Sequence, residues 1–390
     1  MSIVGPDPTP LPRYPRGTLL LVGLAAATVT AMGISSIRGI LAPVLLTLVL
    51  SICAHPVRVR LERRGVPHGL ATGSVILVVF ALLSGFFYVV IVAISQFVSM
   101  LPDYAAEIHD LGVSLGEFLN TIGIGDAQIQ AMTDGFTASR FVPYLTGFLG
   151  SFFGIVGFLV IVLTMLILMS SDASYAHTIL GQLSQRRPGL VAALKVFAAN
   201  VRRYMVVTTV LGLAQGFLNT IALWILQVPA ALLWGLLAFL CSFIPNIGYF
   251  FAITPPIVFG YLVGGWPTVI AVIIVYGVIN GGVQSIIQPK AVGSAVSLNQ
   301  TLTFFSVLFW AVVIGPIGAI LAIPLTLLAR TFLIDSDPDS AWVRPAFGPT
   351  TETRRLLKAA DVADKNARKS KTPQSPGSVP AQPPEPRRKA

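Results

Sequence analysis

Apolar residues lie in runs of about 20 along most of this chain, and short polar segments separate the runs. Wound as a helix, about 20 residues cover the ~30 Å hydrocarbon core of a lipid bilayer. Because lipid offers no partners to backbone N–H and C=O groups, such runs must be helical. The pattern therefore predicts an all-α, polytopic transmembrane protein.

Three runs make up the predicted N-terminal transmembrane unit, residues 18–100. Residues 18–34 predict a first span, residues 40–53 its return, and residues 71–100 a helix about 45 Å long at ~1.5 Å per residue. The five prolines within residues 1–17 predict a disordered leader. A basic start before a short apolar run also resembles a signal peptide, but the spans that follow favour an uncleaved helix.

The polar segments between the runs alternate in charge, and this alternation predicts the topology. Residues 55–69 hold four arginines and one acid, residues 101–142 six acids and one arginine, and residues 172–203 five basic side chains and one acid. Basic segments stay in the cytoplasm, so the first and third are predicted inside and the second outside. Both termini are then cytoplasmic.

Two amphipathic helices are predicted between the spans. Within the extracytoplasmic segment 101–142, apolar residues recur every three or four positions from Leu101 to Ile122. That helix could cover the membrane edge or form an oligomer contact, and the sequence leaves both open. Residues 143–203 predict one span followed by a helix along the inner leaflet, with a stripe from Leu190 to Tyr204.

The C-terminal transmembrane core, residues 204–334, contains two broken apolar stretches. Residues 231–263 and 300–332 each number 33, which is too long for one span and too short for two with a turn. Pro-Asn-Ile-Gly interrupts the first stretch near its middle, and Gly-Pro-Ile-Gly interrupts the second. We therefore expect two re-entrant helical hairpins with tips near mid-membrane, the alternative being two kinked spanning helices. Residues 335–390 are rich in proline and basic side chains and predict a disordered cytoplasmic tail.

Hairpin tips leave helix ends inside the membrane, where their partial charges can hold a solute. The helix between the two hairpins adds polar residues at every fourth position from Tyr276 to Gln288. This ladder could contact solute or only hydrogen-bond to neighbouring helices. The predicted substrate-binding residues are Pro245, Asn246, Gly248, Asn280, Gln284, Gln288, Gly315 and Gly318.

The order and spacing of several short motifs resemble one family of bacterial membrane proteins. These motifs are Phe-Ile-Pro-Asn-Ile-Gly from Phe243, Ile-Gln-Pro-Lys from Ile287, Gly-Pro-Ile-Gly from Gly315 and Leu-Ala-Ile-Pro from Leu321. Together they resemble the autoinducer-2 exporter (AI-2E) family. The resemblance implies a multi-pass, oligomeric permease of the bacterial cytoplasmic membrane that exports autoinducer-2 or another small solute. Many relatives carry an acidic or Asn-containing pair shortly before the proline matching Pro289, whereas this chain has Val283 and Gln284.

Other function classes have little support in the sequence. The net charge of +10 is spread over loops and tail rather than one face, so no nucleic acid partner is expected. Cys53 and Cys241 lie far apart in apolar sequence, so no metal site, cofactor or disulfide is predicted. A G-x-S-x-G match at Gly112 falls inside a helical repeat, where a catalytic nucleophile elbow cannot form. A transporter without catalytic residues is predicted, and a membrane scaffold or a channel is the alternative.

One absence bears on energy coupling. No Asp or Glu occurs between Asp172 and Asp335, and no His follows His177. Proton-driven carriers usually place a titratable carboxylate or histidine inside the membrane. The sequence therefore predicts a neutral site, with either facilitated transport or a cation such as sodium held by carbonyl oxygens.

Overall fold

A computed structural model describes residues 15–121, 147, 152–173, 175–245, 247–288, 290 and 298–337. The predicted tail from residue 338, the leader up to residue 14 and most of residues 122–151 lie outside this description. Every regular element among the described residues is helical. The α-helices are α1 (Arg16–Ser36), α2 (Arg38–Arg63), α3 (His68–Met100), α4 (Ala105–Thr121), α5 (Phe152–Asp172), α6 (Ala176–Arg186), α7 (Pro188–Ile225), α8 (Ala231–Cys241), α9 (Gly248–Gly281), α10 (Gln300–Ile314), α11 (Pro316–Ile320) and α12 (Ala322–Arg330).

Within the described residues, five helices are long and apolar enough to cross a bilayer. Shorter apolar helices accompany them, including α8 and α10. The prediction of an all-α polytopic membrane protein is confirmed. By length and composition the five long helices are Arg38–Arg63, His68–Ile108, Gly154–Asp172, Pro188–Ile225 and Gly248–Gln284, the last of which is interrupted at Gly265.

Helix α2 extends further than the predicted return, which ended at residue 53. It continues to Arg63 through most of the basic segment that the sequence suggested was a loop. An ion pair between Arg58 Nε and Glu62 Oε1, 3.4 Å apart at i and i+4, supports this last part. Arg60 and Arg63 also lie in the last turn, where positive charge interacts favourably with the helix dipole.

The amphipathic helix predicted from residue 101 is present as a short 3₁₀ turn, Leu101–Tyr104, followed by α4. Leu101 and Ile108 are buried in a cluster with Trp234 and Phe259 of the C-terminal core. The Tyr104 and Phe259 rings also meet edge to face, with centroids 6.1 Å apart. The first turns of this apolar face therefore pack on the protein itself. The sequence had suggested only a cover for the membrane edge or an oligomer contact.

Helix α7 is one helix of 38 residues, where the sequence predicted an inner-leaflet helix followed by a separate span. No proline or glycine lies between residues 190 and 211, so nothing in the sequence ends the helix at residue 204. The stripe containing Phe197, Val201 and Tyr204 is buried in the protein core rather than turned to lipid. At ~1.5 Å per residue the helix is about 57 Å long and extends beyond the bilayer.

The G-x-x-x-G pair of α7 marks a close helix crossing, as its spacing indicated. A Cβ atom added to Gly216 would lie 2.7 Å from the carbonyl oxygen of Gly235 in α8, and one added to Gly212 would meet the Ser242 side chain. Only glycine allows the two backbones to approach so closely. This crossing fixes α8 against α7.

Helix α9 consists of two halves, because Gly265 interrupts it with a φ of 63° and a ψ of −156°. A Cβ atom added to Gly260 would lie 3.5 Å from Val272 Cγ2 and 3.9 Å from Val228 Cγ2. Residues on either side of Gly265 are thus neighbours, so the halves 248–264 and 266–281 fold back on each other. The second half starts where the sequence predicted the span between the hairpins to begin.

Candidate functional site

The first predicted break lies between α8 and α9, in the turn that follows Cys241 and precedes Gly248. The turn uses its own backbone: Ile244 N–H donates to Cys241 O at 3.0 Å, and Gly248 N–H donates to Ile244 O at 3.0 Å. Pro245 is half-buried in this turn, whereas Asn246 lies outside the described residues. A Cβ atom added to Gly248 would collide with the Cys241 carbonyl oxygen. Gly248 is therefore required for the α8 end to pack on the α9 start.

The second predicted break lies at Gly315, whose φ of 91° only glycine adopts easily. Pro316 then begins α11. The chain folds back, since Trp310 Nε1–H of α10 donates to Thr326 Oγ1 of α12 at 3.0 Å. A Cβ atom added to Gly318 would collide with the Trp310 carbonyl oxygen, so Gly318 permits this tight return.

The two breaks lie against each other. Ile244 and Ile247 of the first turn pack on a buried cluster formed by Val307, Ala319 and Ala322 around the second break. The sequence predicted that the two tips would flank one site, and the packing of these side chains brings them together. Their depth in the membrane stays a prediction.

The predicted polar ladder on α9 is only partly regular. Tyr276 and Asn280 are buried, with 0% and 4% of their surface exposed. Beyond Gly281 the chain continues as a π-helical segment, Gly282–Ile287, whose wider turns end the four-residue repeat. Gln284 and Gln288 are consequently half-buried and are not aligned with Asn280 as an α-helix would align them.

Asn280 is held by a partner that the sequence analysis missed. Gln215 Nε2–H of α7 donates to Asn280 Oδ1 at 2.9 Å, and Asn280 Nδ2–H donates to Tyr276 O at 2.9 Å. Asn219 lies one turn further along α7 and is fully buried, yet neither its Oδ1 nor its Nδ2 has a hydrogen-bond partner. The signal was available, since Gln215 and Asn219 are an i, i+4 amide pair in an otherwise apolar part of α7.

Helix register places Asn219 level with Tyr276. Gln215 of α7 contacts Asn280, which lies at the C-terminal end of α9. Val228 follows the C-terminal end of α7. It lies close to Gly260, which also neighbours Val272 in the second half of α9. The two helices therefore run antiparallel, and one turn from the Gln215–Asn280 contact leads to Asn219 on α7 and Tyr276 on α9. The Tyr276 hydroxyl also lacks a partner.

These residues form what we call the amide cluster: Gln215, Asn219, Tyr276 and Asn280. It lies beside the first break, because Tyr276 shares a buried hydrophobic cluster with Cys241, the last residue of α8. All four side chains are uncharged at neutral pH, and they offer both N–H donors and oxygen acceptors. Such a group can bind a neutral polar molecule through hydrogen bonds. Within the described residues, no three His, Cys, Asp or Glu side chains are grouped to hold a metal ion.

Comparison with known proteins decides the family. The family model described as AI-2E family transporter matches residues 19–336. The chain belongs to the AI-2E transporter family. This match includes all the helices that carry the two breaks and the amide cluster, as well as the N-terminal spans.

Several bacterial proteins named as transport proteins are 25–28% identical to this chain over most of their length. YhhT of Escherichia coli strain K12, provisionally named a transport protein, is 27% identical over 323 residues, which cover 81% of this chain and 90% of YhhT. A provisionally named transport protein of Haemophilus influenzae is 28% identical over 333 residues, covering 82% and 93%. TqsA of E. coli K12, named an AI-2 transport protein, is 25% identical over 317 residues, covering 81% and 92%.

Proposed function

We propose that this AI-2E family transporter exports a small polar solute, which binds between the two helix breaks and the amide cluster. The observation that carries the proposal is the buried Asn219 amide, whose donor and acceptor both lack a partner. Each unpartnered buried polar group costs about 1–3 kcal/mol, so such a residue is expected where a ligand supplies the missing hydrogen bonds.

The chemistry of the cluster bears on the kind of solute. A bare cation would be bound by the Asn219 Oδ1 and Tyr276 hydroxyl oxygens but would leave Asn219 Nδ2 unsatisfied. A neutral molecule that both donates and accepts hydrogen bonds satisfies both atoms. Autoinducer-2, the solute in the name of TqsA, is therefore the first solute to test.

The proposed setting is a bacterial cytoplasmic membrane with both termini inside and a homo-oligomeric assembly. Relatives of this chain come from bacteria such as E. coli and H. influenzae. The basic ends of α2 and α7 and the acidic segment after α3 support this orientation. Mass measurement of the purified protein in detergent would determine the number of copies.

Flux measurements test the function. Liposomes that contain the purified protein are loaded with labelled autoinducer-2, and efflux is measured at increasing internal concentrations. A carrier gives saturable efflux, a channel gives efflux that keeps rising in proportion to the internal concentration, and a scaffold gives neither. If autoinducer-2 does not move, a metabolite comparison between a deletion strain and its parent identifies other solutes to test in the same assay.

Two variants connect the flux to the proposed site. Asn280→Ala and Asn246→Ala together should abolish saturable efflux while membrane yield persists. Thr254→Ala is the matched control, because Thr254 is an exposed polar residue of α9 whose hydroxyl bonds only to Phe250 O of its own helix. Full activity of the double variant would place the solute site elsewhere, for example among the N-terminal spans.

A further inference from the structure

A groove of about 790 Å³ lies between α3 and α5, away from the proposed solute site. This volume falls within the range of ligand pockets, about 300–1,000 Å³. The walls along most of the groove are apolar, and two wall residues, Leu77 and Ile167, are 68% and 51% exposed, so the groove opens sideways. The apolar wall residues are Ile76, Leu77, Phe80, Leu163 and Ile167.

One end of the groove is polar. His68, Thr72, Ser170 and Tyr175 line it there, where α3 begins and α5 ends. From His68 to Phe80 the helix rises about 18 Å at ~1.5 Å per residue. This length is close to half of the ~30 Å hydrocarbon core. The groove thus has a polar end and an apolar length that match one phospholipid within one leaflet.

Basic side chains lie close in sequence to the polar end of the groove. The last turn of α2 and the residue after it contribute exposed Arg60, Arg63 and Arg64, and only residues 64–67 separate this helix from His68. Two acids, Glu62 and Asp172, lie at this end of the helices.

Glu62 already has partners within the protein. Its Oε1 lies 3.4 Å from Arg58 Nε and 2.8 Å from His68 Nδ1. Arg58 also donates from Nη1 to Ser170 O at 3.2 Å, which ties α2 to the end of α5 beside the groove. With Glu62 paired, the three exposed arginines outnumber the carboxylate of Asp172 at this end of the helices, although they do not line the groove itself.

We propose that this groove is a binding site for one anionic phospholipid. An acyl chain lies along α3 and α5, and the phosphate lies near His68 and the arginines at the end of α2. Arginine and phosphate form strong charge-assisted hydrogen bonds, and the apolar wall excludes water from the chain. An anionic head group is favoured over a zwitterionic one because of the net positive charge at the polar end.

Glycine positions on α3 provide a selective test. Gly73 lines the groove, and a Cβ atom added there meets no atom within 4 Å. Gly73→Phe should therefore fill the groove without disturbing the helix packing. Gly85→Phe is the matched control, because Gly85 is an exposed position on the same helix, is not among the groove residues, and has equally open space.

Native mass spectrometry of the full chain measures the bound lipid. The protein is purified in detergent, mixed with phosphatidylglycerol or phosphatidylcholine, and compared with Gly73→Phe, Gly85→Phe and an Arg63→Gln, Arg64→Gln double variant. We expect one tightly bound phosphatidylglycerol in the wild type and in Gly85→Phe, and its loss in Gly73→Phe. The double variant should lose the preference for phosphatidylglycerol, by about fivefold for each arginine removed.

Two results would overturn the proposal. One is equal phosphatidylglycerol binding by Gly73→Phe and wild type, which would show that lipid binds elsewhere. The other is a change of oligomeric mass in Gly73→Phe with no change in lipid binding, which would show that a second copy of the chain occupies the groove. Neither result depends on which solute the protein transports.

Discussion

At the scale of single residues, Asn219 and Gln215 differ sharply although they occupy the same face of α7. Gln215 donates to Asn280 at 2.9 Å, whereas both polar atoms of Asn219 lack partners in a fully buried position. A buried hydrogen bond stabilises a membrane protein by about 0.6–2 kcal/mol, while an unsatisfied buried group opposes folding. The two neighbours should therefore respond to substitution with opposite signs.

Replacing each amide by an apolar side chain of similar size tests this difference. Asn219→Leu should leave the free energy of unfolding unchanged or raise it by about 1 kcal/mol, because no hydrogen bond is lost. Gln215→Met should lower it by about 1–3 kcal/mol, because Asn280 Oδ1 loses its donor. Thermal unfolding of the solute-free protein in detergent measures both. Equal destabilisation by the two variants would show that Asn219 has a structural partner.

The glycines of the two breaks lead to a second prediction, which revises the role that the sequence suggested for them. A side chain at Gly248 or Gly318 would collide with a backbone carbonyl oxygen, of Cys241 or Trp310 respectively. Even alanine should therefore reduce the yield of folded protein, before any effect on solute binding. Gly277→Ala is the control, since a Cβ atom there meets nothing within 4 Å and alanine favours a helix interior by about 1 kcal/mol. Normal yield and stability of Gly248→Ala would contradict this account.

Sequence reasoning located Asn280 and both glycine breaks but missed Gln215 and Asn219. The breaks were visible because Pro and Gly interrupt helices through local backbone geometry alone. The partner of Asn280 lies 65 positions earlier in the chain, and only the antiparallel packing of α7 on α9 brings the two together. A contact of that kind depends on tertiary register, which a single sequence does not encode locally.

At the scale of elements, the length of α8 bears on the depth of the first break. Exposed tryptophans, Trp224 and Trp266, lie beside the end of α7 and the bend at Gly265, and tryptophan prefers the membrane interface. Helix α8 starts near this level and has 11 residues, so it descends about 17 Å, roughly half of a bilayer. The half 248–264 is about 25 Å long and so must incline or extend past the interface.

These lengths predict that the turn between α8 and α9 lies inside the membrane. In a variant with Cys53→Ser and Cys241→Ser, a cysteine at Trp266 should react with an impermeant thiol reagent from one side. A cysteine at Ser242 should react from neither side. Reaction of the Ser242→Cys protein with reagent supplied only on the side opposite to Trp266 would show a spanning helix pair instead of a re-entrant hairpin.

Element boundaries were predicted well where apolar length decided them and less well where charge did. Residues 55–63 were assigned to a basic loop, and residues 190–203 to a helix along the inner leaflet within a basic segment, rather than to the spans beside them. Both segments nevertheless continue α2 and α7 without interruption. Charge at a membrane surface sets which side a segment occupies, but it does not end a helix, since lysine and arginine are good helix formers.

At the scale of the whole molecule, arginines join the N-terminal spans to the rest of the protein at one end. Arg58 of α2 donates to Ser170 O of α5 at 3.2 Å, and Arg202 of α7 donates from Nε to Ile52 O of α2 at 3.1 Å. Both contacts link separate helices at the level of the basic segments. The end of the molecule that is rich in arginine is therefore also a structurally connected end, as expected of a single cytoplasmic surface.

Cysteine labelling in intact cells tests this orientation, again with the two native cysteines replaced by serine. Glu117→Cys of α4 should react with an impermeant reagent added outside, because the acidic segment is predicted to be extracytoplasmic. Arg64→Cys and Lys195→Cys should react only after the membrane is permeabilised. All three positions are exposed on the protein, so burial does not explain a failure to react. The reverse pattern would invert the topology.

The composition of the transmembrane core leads to the last prediction, which concerns energy coupling. No carboxylate or histidine occurs from residue 178 to residue 334, and the amide cluster contains no group that titrates near neutral pH. A proton cannot be carried by Gln215, Asn219 or Asn280, so solute efflux from proteoliposomes should change less than about twofold when a gradient of one pH unit is imposed. The same measurement with a sodium gradient separates facilitated transport from sodium coupling, because a cation held by carbonyl and amide oxygens would make efflux depend on sodium. Asn219→Leu serves as the internal comparison: it should lower efflux under every gradient to a similar degree, since it removes a solute contact rather than a coupling group. A strict requirement for a proton gradient would show that a titratable residue outside this core, such as His55 or Glu62 at the end of α2, takes part in transport.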